Sequence, residues 1–170
     1  VELEGTYALP EAQVDRFLLK VVVHHPSREE EATIIERMAN TGPAPQPRVV
    51  AQLEQILAVR ALVDEILIAP AARQYLLDLV FATREPAEAG LGSLQPLILY
   101  GASPRASLAL AQASRAHAFL RGRGYVTPED LKAVAPAVLR HRIVTTYEAE
   151  AEGVTVEDIV ARILETVPVP

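Results

Sequence analysis

Two arginines in the 170-residue sequence stand where a guanidinium can meet phosphate or another anion. Arg105 lies in "YGASPRASLAL", residues 100–110, where Gly101 to Ser103 read as a turn ending in an N-cap, Pro104 fits the first helical position and an apolar period begins at once. Free N–H groups and the macrodipole make that helix end positive, so a cation in the first turn is unfavourable unless it faces an anion. An arginine fork beside preorganised N–H donors is a receptor for phosphate oxygens. A side chain lying over apolar neighbours, or paired with a nearby carboxylate, is the other reading of the same residue. Arg16 closes "PEAQVDR", where the end of a short helix favours a cation and the adjacent Asp15 offers a partner.

Three other expected helix starts provide a comparison. Ser27 with Glu30, Thr127 with Glu129 and Asp130, and Thr155 with Glu157 and Asp158 place carboxylates in the first turn, as the dipole prefers. The start at Ser103 places Arg105 there and no acid.

Residue types exclude much other chemistry. With no cysteine, disulfides, thiolate nucleophiles and cysteine-ligated zinc are ruled out within this chain. His24, His25, His117 and His141 lack metal-site spacing, so no metal site is expected. "ALVDEI" at 61–66 resembles the apolar run ending in Asp-Glu that holds magnesium in nucleotide hydrolases, but Arg60 interrupts the run and the period is helical. Asp64 and Glu65 therefore read as a solvated helix end. No G-x-S-x-G elbow is present. Neither lysine, Lys20 or Lys132, follows a glycine, so the chain has no G-x-x-x-x-G-K-[ST] phosphate loop. If the anion is phosphate, this chain contributes to a site without owning it.

The elements that must position these arginines are mostly helical. Half the residues are apolar but only 5% aromatic, which favours helices packed through aliphatic side chains. The pattern predicts a short helix over 10–17, a buried strand over 17–23, a helix after Ser27, a loop over 40–48 and helices within 49–66 and from about 70. A second loop over 85–96 follows, then a helix over about 104–121 that ends where Gly122 or Gly124 takes a left-handed conformation. Helices after Thr127 and Thr155 complete a bundle appended to a strand. The net charge of −6, without a dense basic run, argues against nucleic acid as a partner. No apolar run reaches the roughly 20 residues of a membrane helix, and Glu2, Glu4 and Glu11 are wrong for a signal peptide. The opening "VELEGTYALPEAQ" has no initiator methionine and reads as a piece of a longer polypeptide.

Taken together, "EGTYALPEAQVDRFLLKV", "YGASPRASLAL", "GRGYVTPEDLKAVAPAVLRHRI" and "VTVEDIVARIL" resemble, in order, the MoxR family of AAA+ ATPases, relatives of the magnesium-chelatase ATPase subunit. The resemblance implies a mainly α fold, a helical AAA+ lid domain over 27–170 with sensor 2. Before it, residues 1–26 would be a short helix–strand remnant of the α/β P-loop core. The family's Walker motifs and sensor-1 asparagine would lie before Val1, so the chain alone is expected to be inactive and to bind no nucleotide tightly.

By the same resemblance Arg16 matches the arginine finger, which acts in trans on a neighbouring subunit. Arg105 matches the sensor-2 arginine, which touches the phosphates of ATP bound by its own chain, and residues 24–28 match the hinge. The intact protein would be a cytoplasmic ATPase using ATP and Mg2+, assembled as a ring with a hexamer as the expected size. It would remodel or mature client protein complexes, with a von Willebrand factor A-domain protein as a further partner. A helical protein-interaction module with no nucleotide role, in which both arginines are ordinary surface residues, is the alternative.

Overall fold

The computed structural model describes residues 9–39, 41–42 and 46–170. Residues 1–8, which include positions 4–8 of the first family-like motif, and 40 and 43–45 of the expected loop, lie outside the described residues.

The fold is mainly helical, as the composition requires. Helix α1 (Glu11–Val14) and helix α2 (Arg28–Met38) come first. Ser27 caps α2 by a capping box, its hydroxyl accepting from the Glu30 N–H and its own N–H donating to Glu30 Oε2 at 2.8 Å. Helix α3 (Leu53–Glu65) follows, and α4 (Pro70–Ala82) begins with proline at the first turn. A 3-10 helix (Gly92–Leu97) leads into strand β1 (Ile98–Tyr100) and the long helix α5 (Pro104–Leu120). Helix α6 (Pro128–Leu139), strand β2 (Val144–Thr145), α7 (Tyr147–Ala151) and α8 (Val156–Thr166) complete the chain.

Among the described residues no side chain before Ile66 is buried, and the core runs from Ile66 to Val167. Its axis is the pairing of α5 with α6, flanked by α4 and α8. The buried face of α5 carries Ala106, Ala109, Leu110, Ala113 and Ala118 at helical spacing. Small residues there let α6 approach closely and seat Leu131, Val138 and Leu139. Leu79, Leu110, Leu131, Leu139, Ile159 and Ile163 are fully buried, each worth about 1.5–3 kcal/mol relative to exposure.

Two expectations are corrected and one alternative is resolved. The α1 helix forms, but residues 17–23 form no strand: they are irregular, and Val23 is 87% exposed. β-branched residues favour a strand only where a neighbouring strand accepts their hydrogen bonds, and among the described residues none lies alongside. Strand pairing occurs instead between β1 and β2, antiparallel with Ile98 opposite Thr145 and Tyr100 opposite Val144. The expected loop over 85–96 ends as the 3-10 helix, because Leu94 and Leu97 are drawn into the core. Gly122, at φ 70°, supplies the left-handed residue after α5, and Gly124 does not.

Candidate functional site

Arg105 is presented by a turn that the end of α4 grips. Thr83 Oγ1 accepts the Ala102 N–H at 2.9 Å while donating to the Val80 carbonyl, and Arg84 Nε donates to the Ala102 carbonyl at 2.7 Å. Gly101 passes so close to α4 that an added Cβ would lie 2.3 Å from the Thr83 carbonyl oxygen. The chain therefore leaves β1 at a fixed angle, and Ser103 becomes the N-cap of α5, accepting from the Arg105 N–H at 3.2 Å.

The anion missing from this helix start comes from a distant part of the sequence. Ser103 Oγ lies 2.9 and 2.8 Å from the two carboxylate oxygens of Asp15, and Arg105 Nη1 is 3.5 Å from Asp15 Oδ2. Asp15 thus pairs with Arg105 rather than with its neighbour Arg16. The α4 start also lacks a first-turn acid, so that absence alone does not distinguish α5; an arginine answered by a carboxylate does.

Arg142, which sequence reasoning missed, binds Asp15 from the other side, its Nε 3.2 Å from Asp15 Oδ1. Its side chain is 2% exposed, and it also donates to the carbonyls of Asp15, Phe17, Leu18 and Val138. Burial lowers its pKa, and the Asp15 carboxylate opposes that shift. The signal available in sequence was the run Arg140-His141-Arg142 just after α6. All three grip the segment after α1: Arg140 donates to the Lys20 carbonyl at 3.1 Å, and His141 Nε2 lies 3.0 Å from the Phe17 carbonyl. The Lys20 N–H in turn satisfies the Ala137 carbonyl near the C-terminus of α6.

These contacts bring both predicted arginines to one cleft of about 280 Å3, lined by Asp15, Arg16, Leu18, Arg105, Leu108 and Arg142 among others. Three guanidiniums face one carboxylate. Arg105 is 51% exposed, and the Arg16 side chain has no hydrogen bond or ion pair among the described residues. Guanidiniums beside a helix N-terminus are donors to the oxygens of an anion. Nothing comparable is offered to Mg2+: among the described residues no group of three or more His, Asp or Glu is placed to hold a metal ion. Asp64 and Glu65 end α3 well away in sequence from the cleft residues, and neither lines it. Among the described residues no helix is long and apolar enough to cross a membrane.

A family model for the AAA lid domain matches residues 94–163, the stretch from the 3-10 helix to α8. The whole chain is 43% identical to Chaperone MoxR1 of Mycobacterium tuberculosis over 170 residues, which make up 45% of that protein. This chain belongs to the MoxR family of AAA+ proteins, in its lid portion. Protein MoxR of Paracoccus denitrificans is a further MoxR relative, 34% identical over 190 residues, with all of this chain and 53% of that protein covered. A crystal structure from Cytophaga hutchinsonii, of a protein assigned provisionally as an ATPase, superposes with a TM-score of 0.94 at 42% identity, covering 100% of this chain and 52% of the other. The MoxR chain described here spans about half the length of the curated relatives it matches.

Proposed function

We propose that this MoxR-family chain supplies two arginines, Arg16 and Arg105, to the phosphates of ATP in a ring-shaped AAA+ ATPase. The supporting observation is that both line one cleft in which, among the described residues, Asp15 is the single carboxylate. In this reading residues 1–26 complete the nucleotide-binding core and 27–170 form the lid, with a hinge near 24–28. Because the phosphate loop is not in this sequence, the chain serves a site completed by other residues.

When bound, ATP with Mg2+ supplies the γ-phosphoryl group whose charge must be stabilised. Arg16 is exposed on the segment after α1 and has no side-chain partner among the described residues, so it is available to a neighbouring subunit's nucleotide, where a trans-acting arginine contributes about 10³ to 10⁵ in rate. Sharing a cleft with Arg16 makes Arg105 serve that same nucleotide. In this reading both arginines act in trans, whereas the sensor-2 resemblance implies contact with the chain's own ATP. Remodelling of client complexes, a hexameric ring, a von Willebrand factor A-domain partner and a cytoplasmic location belong to the same reading. The name of the relative Chaperone MoxR1 supports its chaperone-like part.

Mixing subunits tests it. In the intact ATPase, Arg16→Ala and Arg105→Ala each lose turnover by about a hundredfold or more. Each regains turnover when mixed with subunits that cannot bind ATP but keep both arginines. Rescue of Arg16→Ala without rescue of Arg105→Ala returns sensor 2 to its own chain's site, and full turnover in both single variants removes the ATPase role of these residues.

A further inference from the structure

Arg142 uses every donor it has, and four of its five bonds go to the residues that bracket Arg16. A guanidinium carries five N–H groups. Here they meet Asp15 Oδ1 at 3.2 Å, the Asp15 carbonyl at 3.2 Å, the Leu18 carbonyl at 3.3 Å, and the Phe17 and Val138 carbonyls. The carbonyls immediately before and after Arg16 are both held, and Val138 ties them to α6. Arg16 itself has no side-chain partner among the described residues, so its reach is set by its backbone alone.

We propose that Arg142 is a positioning residue for Arg16, fixing the backbone from which Arg16 enters the cleft and sharing the Asp15 carboxylate with Arg105. The proposal rests on the reading of Arg16 as a trans-acting arginine. An anion that draws Arg105 away leaves Asp15 to Arg142 and Ser103, so the Arg16 backbone stays clamped while Arg105 changes partner. A lysine at 142 keeps the charge but offers one ammonium to acceptors spread over four residues, and cannot replace the fork.

Two measurements test this, one of them independent of nucleotide. In the 170-residue chain, trypsin cleavage between Arg16 and Phe17 is followed by mass spectrometry against cleavage between Arg48 and Val49, which lies in an exposed irregular segment. Arg142→Lys and Arg142→Ala accelerate the first cut about tenfold and leave the second unchanged, with circular dichroism confirming that both variants stay helical. In the intact ATPase, Arg142→Lys lowers kcat about tenfold with KM within about twofold, and adding it to Arg16→Ala causes no further loss. Unchanged cleavage at Arg16, or losses that multiply in the double variant, overturn the proposal. Full turnover of Arg16→Ala alone instead removes the ATPase reading, and with it the catalytic half of the role given to Arg142, whatever the cleavage shows.

Discussion

Ser103 and Asp15 are 88 residues apart in sequence, yet the serine hydroxyl touches both oxygens of the carboxylate, at 2.9 and 2.8 Å. The same hydroxyl accepts the Arg105 N–H, so one N-cap joins the start of α5 to the segment that carries Arg16. Asp15 is therefore the acid that α5 lacks in its own first turn. It also lines the cleft proposed above to receive phosphate.

Removing that carboxylate is expected to sharpen the cleft's appetite for anions. Asp15→Asn keeps the shape of the side chain and leaves three guanidiniums with no carboxylate among them. Tripolyphosphate, titrated into the 170-residue chain at low salt, binds Asp15→Asn at least about threefold tighter than the wild type, and the gain shrinks as salt screens it. Equal or weaker binding by the variant means that the cleft does not receive polyphosphate.

Gly101 allows the presenting turn to exist. Its Cβ position lies 2.3 and 2.6 Å from the carbonyl oxygen and carbon of Thr83, backbone atoms of the residue that caps the C-terminus of α4. Gly101→Ala is expected to cost about 2 kcal/mol or more in denaturant unfolding. Gly124→Ala, where a Cβ meets nothing within 4 Å and φ is not positive, serves as the near-neutral control.

Asp130 holds the junction of α5 and α6. Fully buried, it accepts from Arg123 through both oxygens, lies 2.7 Å from His117 Nδ1 and accepts the Thr127 N–H at 2.8 Å. Burial raises its pKa, but the bonds from Arg123, Thr127 and His117 outweigh burial and hold it far below the usual carboxylate range. Asp130→Ala strands those donors and is expected to lose about 3 kcal/mol of stability at neutral pH. With the folded pKa depressed, the contribution is complete above the unfolded value near about 4 and drains away as pH falls below it. Asp130→Asn accordingly flattens the acid limb of the stability curve.

The contrast between local and distant partners explains what the sequence revealed. Arg105 stood out because its conflict with the helix dipole is local, and the caps at Ser27, Thr127 and Thr155 are equally local and form as expected. Asp130 was legible only as a first-turn acid; that it is the buried centre of an ion-pair cluster depends on Arg123 and His117 closing over it. Arg142 was illegible because a buried guanidinium is stable only where five acceptors converge, and four of them lie more than a hundred positions away. The β-branched run at 17–23 misled for the opposite reason, since its propensity finds no neighbouring strand among the described residues.

His141 is expected to make the clamp on the Arg16 segment sensitive to pH. Its Nε2 faces the Phe17 carbonyl at 3.0 Å, which assigns the ring proton to that nitrogen, while Nδ1 is buried without a partner among the described residues. Burial lowers its pKa; the Phe17 carbonyl and Asp15 oppose the shift, whereas Arg142 and Lys20 reinforce it. A histidine with a depressed folded pKa is protonated first in the unfolded chain as pH falls, so acidification favours unfolding. Its contribution is complete above the unfolded value near about 6.5 and is lost as pH drops through the folded value. His141→Gln keeps an N–H donor for the Phe17 carbonyl but does not titrate. The wild type is therefore expected to lose more stability than His141→Gln between about pH 7.5 and 5.5, with trypsin cleavage after Arg16 rising in parallel only in the wild type. Equal losses in the two proteins, read from denaturant midpoints at both pH values, show that His141 does not gate the clamp.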